Sequence, residues 1–95
     1  VKAADAVARK IIEDAGFGKA FGHGLGHGVG IDIHEAPRLS RLGKGNLKSG
    51  MMVTCEPGIY LDGWGGVRIE DMLLITDSGA ETLTQCAKPR KILAL

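Results

Sequence analysis

The chain has 95 residues, 44% hydrophobic and 24% charged, with a formal net charge of +1 and a mean hydropathy of +0.07. That length supports one hydrophobic core and excludes two domains. The composition is that of a folded soluble chain, and no apolar run nears the roughly 20 residues of a membrane span. Basic residues are scattered rather than gathered into a stripe, which argues against a nucleic-acid partner.

The first element is helical. Ala4, Val7, Ala8, Ile11, Ile12 and Ala15 repeat at three-and-four spacing, with Lys2, Asp5, Arg9, Glu13 and Asp14 mostly elsewhere. Gly16 stands where a left-handed C-terminal cap would end the helix. The pattern is already running at Val1 without an initiator methionine, so a piece of a longer polypeptide is expected.

Beyond Gly16 the period changes to two. Ile31 and Ile33 alternate with Asp32 and His34 as in a half-buried strand, which Glu35, Ala36 and Pro37 are expected to break. A polar loop follows from Arg38 to Gly50, then a β-prone run from Met51 to Tyr60 interrupted at Pro57-Gly58. Val67–Thr76 reads as one strand, with Arg68, Glu70, Met72 and Leu74 on one face. Asp77-Ser78-Gly79 turns the chain into a last strand, Ala80–Thr84. One helix followed by turn-linked strands indicates an α+β fold with a mainly antiparallel sheet.

All three histidines, His23, His27 and His34, fall within twelve residues, among glycines at 22, 24, 26, 28 and 30. Alternating glycine permits close approach by another group at an entropic cost that an ordinary strand would avoid. No window satisfies GxGxxG, so a phosphate cradle is unsupported. His34-Glu35 does not begin HExxH, because Arg38 stands in the second histidine position and Pro37 would break the helix. A zinc finger lacks its paired cysteines. Cys55 and Cys86, with no CxxC spacing and no recognisable signal peptide, fit a reducing, cytoplasmic setting, and Cys55 reads as a small buried hydrophobe rather than a nucleophile.

Glu56 ends an apolar run and Glu70 lies inside VRIEDMLLI, places where a carboxylate needs a cation or a hydrogen-bond network. Glu70 alone could be solvated or paired with Arg68. Together, the histidines and glutamates form a donor set suited to manganese, cobalt, iron or zinc.

GHGLGHGVGIDIHEAPRLS, MMVTCEPGIYL and GGVRIEDMLLIT resemble the C-terminal signature blocks of the M24 metallopeptidases. The resemblance implies the second half of a pita-bread fold, with residues 1–95 as the C-terminal portion of the catalytic domain and the upstream half missing. It implies that His27, Glu56 and Glu70 are metal ligands for two divalent ions, manganese or cobalt first, zinc or iron next. His34 would bind the substrate or its tetrahedral intermediate, and Glu56 would also move the proton from water to the leaving nitrogen. His23 and Arg68 favour the proline-directed branch, Xaa-Pro aminopeptidase or prolidase. There His23 would line the site and Arg68 would orient a carboxylate of a peptide with proline second.

The two aspartate ligands of such enzymes have no match here: Asp5 and Asp14 belong to the helix and Asp32 to the histidine segment. The isolated chain is therefore expected to be inactive, and its uncovered apolar surface invites the missing half or a homodimer. The competing reading is a non-catalytic pita-bread module that binds a peptide or protein.

Overall fold

The computed structural model describes residues 1–88 and 90. In chain order these form helix α1 (Lys2–Asp14), a 3-10 turn (Gly18–Ala20), β1 (Gly26–Gly28), β2 (Glu35–Leu39), β3 (Met52–Cys55), β4 (Gly58–Leu61), β5 (Gly65–Arg68), β6 (Asp71–Thr76) and β7 (Gly79–Thr82). Every pairing is antiparallel, in a five-stranded sheet of order β2-β1-β3-β6-β7 and a separate β4–β5 hairpin. The α+β expectation stands.

Helix α1 ends as its glycine requires. Gly16 adopts φ +90°; its N–H reaches Glu13 O at 2.9 Å, and the Phe17 N–H reaches Ile12 O at 3.0 Å. This paired bonding satisfies two carbonyls that the helix leaves open.

The buried side of α1 is rotated from the expected one. Ala4, Ala8 and Ile12 turn inward, but Val7 and Ile11 are 64% and 66% exposed, while Asp5 and Arg9 are buried. Three backbone groups of residues 21–25 bond to these two side chains, which draws them inward.

Two strand expectations are corrected. Ile31 to His34 is a series of bends with Ile31 and Ile33 exposed, and the strand begins at Glu35, passing through Pro37. Proline is tolerated because β2 is an edge strand, where its missing N–H need break no ladder bond. Val67–Thr76 is likewise two strands. The chain leaves the β4–β5 hairpin at Arg68 and enters the main sheet at Asp71, with the Ile69 N–H bonded to Pro57 O at 3.3 Å between them.

The core lies on one face of the main sheet. Leu25, Leu39 and Val53 are its buried centre, and Ala4 and Ala8 of α1 pack there with Leu73 and Ile75. Cross-strand partners share a face, so the pairs Gly26–Leu39, Gly28–Val53 and Val53–Leu73 face the helix, and His27–Arg38 and Thr54–Met72 face away. A Cβ at Gly26 would overlap the Thr54 carbonyl. Only glycine there lets β1 lie so close to β3.

Candidate metal centre

The β3–β6 ladder ends with Cys55 opposite Asp71. One step further come Glu56 and Glu70, on the side of Thr54 and Met72, away from the helix. His27 reaches the same side from β1. One ring nitrogen of His27 and one oxygen from each glutamate lie within 4.8 Å of one another. Three sequence-predicted residues, up to 43 positions apart in the chain (27 to 70), thus converge at one end of the sheet.

Hydrogen bonds determine what each histidine presents. Nδ1 of His27 lies 2.9 Å from Gly28 O, and Nδ1 of His23 lies 2.7 Å from Gly24 O. A carbonyl only accepts, so both rings carry a proton on Nδ1. At Nε2 the two differ. His23 meets the Tyr60 hydroxyl at 2.8 Å, which can donate to a neutral ring. His27 meets Glu56 Oε1 at 3.0 Å, with both side chains largely buried. A metal ion seated between Nε2 and this carboxylate oxygen would suit both donors. A 3.0 Å separation also suits neighbouring ligands of an octahedral ion, which lie about 3.0 Å apart for bonds of about 2.1 Å. Nitrogen plus carboxylate oxygen is a donor set for a borderline divalent metal, and these residues fit one.

Glu56 is the better fixed carboxylate. Its N–H donates to Leu25 O at 2.7 Å, and its Oε1 accepts from the Thr54 hydroxyl at 2.9 Å. Thr54 Oγ1 in turn accepts the His27 N–H at 3.0 Å, so one buried hydroxyl ties both residues together. Glu70 is exposed rather than semi-buried as the sequence suggested, because it lies beyond the paired end of β6. Arg68 makes its ion pair with Glu56, Nε to Oε2 at 3.7 Å. The Tyr60 hydroxyl, 3.5 Å from Arg68, chiefly raises the guanidinium above its ordinary pKa, with Glu56 and Glu70 adding to the effect.

His34 stands beside His27, ring centroids 4.4 Å apart at 65°. Its loop is folded by the Glu35 carboxylate, which accepts the Asp32 N–H at 3.0 Å. His23, His27, His34, Glu56 and Arg68 line one cavity of about 370 Å³ together with Arg38 and Ser40. A roomier hollow of about 740 Å³, bordered by Phe17, Lys19, Arg41 and Leu61, contains none of the histidines. Volume alone would misplace the chemistry. Burial chiefly pushes the Cys55 thiol pKa up, the Asp71 and Glu56 charges adding to it, so the thiol stays protonated beside the site, unlike a nucleophile.

Sequence reading missed Thr54, Tyr60, Asp5 and Arg9. Thr54 was detectable by parity, two residues before Glu56 on the same strand face. Tyr60 carries no local signal, since its partner His23 lies 37 residues away.

The profile of metallopeptidase family M24 matches residues 1–77. A Xaa-Pro dipeptidase of Pyrococcus furiosus is 55% identical over 88% of the chain, which covers 24% of that protein. The solved Xaa-Pro dipeptidase from Bacillus anthracis superposes with a TM-score of 0.92 at 49% identity, over 97% of this chain and 26% of that one. An X-Pro aminopeptidase from Thermotoga maritima does so at 0.85 and 43% identity, over 96% and 25%. The chain thus spans about a quarter of the length of these relatives, and the expected half of the pita-bread architecture stands on these superpositions. It belongs to metallopeptidase family M24.

Proposed function

We propose that this chain is the C-terminal half of the catalytic domain of a proline-directed metallopeptidase, which cleaves the peptide bond before proline as a prolidase or Xaa-Pro aminopeptidase. The observation that carries the reading is the His27–Glu56 contact, where both imidazole nitrogens face oxygen acceptors and Glu70 lies close by. His27, Glu56 and Glu70 would hold part of a pair of divalent ions, manganese or cobalt first. Such ions polarise the scissile carbonyl and lower the pKa of water.

The chain's own residues supply the remaining work. Glu56 accepts the attacking water's proton at Oε2 and passes it to the leaving proline nitrogen, which has no hydrogen of its own. His34 donates to the oxygen on which charge develops. His23, held by Tyr60, borders the leaving side, and Arg68 orients a substrate carboxylate. A non-catalytic binding module would have no use for a retained ligand trio.

Two aspartates from an upstream half complete the site in this reading, which makes the isolated chain inactive. The setting is cytoplasmic, as the free thiols of Cys55 and Cys86 suit a reducing compartment; no helix of the described residues is long and apolar enough to cross a membrane. The upstream half, or a second copy of the chain, covers the exposed Val7 and Ile11.

The test is hydrolysis of Xaa-Pro dipeptides and longer Xaa-Pro peptides by the full-length protein, after chelation and after adding manganese, cobalt or zinc. Metal-restored cleavage lost in Glu56→Gln supports the reading. A full-length protein inert with every metal refutes it.

A further inference from the structure

We propose that Arg9, gripped by Asp5, is a positioning residue: the pair aims His23 and anchors Leu25, whose carbonyl holds the Glu56 N–H. The inference rests on the peptidase reading only for its kinetic test. The pair is buried, Asp5 at 0% and Arg9 at 7% exposure, and takes no part in the roles assigned above.

Residues 21–25 belong to no strand, yet Phe21 and Leu25 are 1% and 5% exposed. Buried backbone outside a ladder must find other partners. Arg9 Nη1 donates to Phe21 O and Nη2 to His23 O, both at 2.9 Å, and Asp5 Oδ1 accepts the Leu25 N–H at 3.0 Å. Positions 21, 23 and 25 repeat with the period of an extended chain, so the ion pair stands in for a missing neighbouring strand. Two further bonds at 3.0 Å join the guanidinium to both oxygens of Asp5, and its carbon lies 4.3 Å from the centre of the Phe21 ring.

These bonds lead directly to the site. Asp5 holds the Leu25 N–H, which shares a peptide unit with Gly24 O, the acceptor for Nδ1 of His23; with His23 O held by Arg9 as well, the ring is left with Nε2 aimed at Tyr60. Leu25 is held by Asp5 through its N–H and holds Glu56 through its carbonyl at 2.7 Å. Only a planar fork reaches two carbonyls and a carboxylate at once; a lysine keeps the charge but not that geometry.

The experiment compares wild type with Arg9→Lys, both as the 95-residue chain and within the full-length protein. Long-range proton–nitrogen spectra of the imidazoles should show wild-type His23 as a single tautomer with Nδ1 protonated. In Arg9→Lys, with far-UV circular dichroism unchanged, the His23 nitrogens should move toward averaged values. The full-length variant should lose roughly tenfold to a hundredfold in kcat, with KM changed by less than about threefold. A variant that melts earlier but keeps the His23 pattern and kcat has lost only stability, which overturns the proposal. If the full-length wild type cleaves nothing, the peptidase reading fails while the tautomer comparison still decides this one. If Arg9→Lys does not fold, amide exchange in the wild-type chain decides: Leu25 N–H must be among the slowest, and exchange at the rate of an exposed amide refutes the proposal.

Discussion

The Tyr60 hydroxyl lies 2.8 Å from Nε2 of His23 and 3.5 Å from the Arg68 guanidinium. One phenol on the β4–β5 hairpin therefore joins a residue of the glycine-rich segment to one preceding β6.

Replacing that hydroxyl isolates its contribution. Tyr60→Phe preserves the ring and should change stability by no more than about 1 kcal/mol, since the residue is 38% exposed. His23 loses its fixing partner, and Arg68 loses the contact that chiefly raises its pKa. A drop in kcat/KM of about tenfold is expected in the full-length protein, measured on an Xaa-Pro dipeptide beside a urea melt.

Thr54→Val is a test of the buried hydroxyl. Thr54 is 3% exposed and bonds both the His27 N–H and Glu56. Valine fits the space but leaves the N–H without an acceptor, at a cost of about 1–3 kcal/mol. Thr54→Ser should recover most of that loss in chemical denaturation.

Metal should stabilise the chain, because anything bound to the folded form alone raises its stability. An ion at a hundred times its dissociation constant adds about 2.7 kcal/mol. The rise in Tm with manganese should vanish on chelation, and should shrink in Glu70→Gln, where one of the three converging donors becomes a neutral amide. An equal rise in that variant would place the ion elsewhere.

The two thiols should differ in reactivity. Cys86 is exposed, whereas Cys55 is partly buried, and burial foremost, then Asp71 and Glu56, pushes its pKa above the ordinary value. Alkylation of the native chain at pH 8, followed by peptide mapping, should label Cys86 first. Denaturation should bring the rates together.

Gly26→Ala should be disruptive out of proportion to one methyl group. The added carbon overlaps the Thr54 carbonyl, so β1 must move from β3, with an expected cost of about 1–3 kcal/mol or more. The measurement is again chemical denaturation, with Gly22→Ala, which meets nothing within 4 Å, as control.

Much of this was legible in the sequence because the signals were local. The helix and its Gly16 stop, the turn at Asp77-Ser78, and the two glutamates in apolar runs follow from spacing and residue chemistry alone. The division of Val67–Thr76 was not legible, because no glycine or proline punctuates the run where the chain crosses between sheets after Arg68. Pro37 misled for a related reason: a strand tolerates it only at an edge, and edge position is a property of the assembled sheet. The inward turn of Asp5 and Arg9 was hidden because its cause, the bonding need of residues 21–25, lies outside the helix.

The placement of Glu56 and Glu70 just past the last rung of β3 and β6 couples chemistry to registration. Sliding either strand by one residue would send its carboxylate to the opposite side of the sheet, leaving the other stranded without its mate. Under the proposed metal reading, ion capture would therefore be a readout of correct pairing, and a single-residue insertion between positions 52 and 56, or between 70 and 75, should disable the candidate centre even where the chain still collapsed and the side chains themselves were untouched.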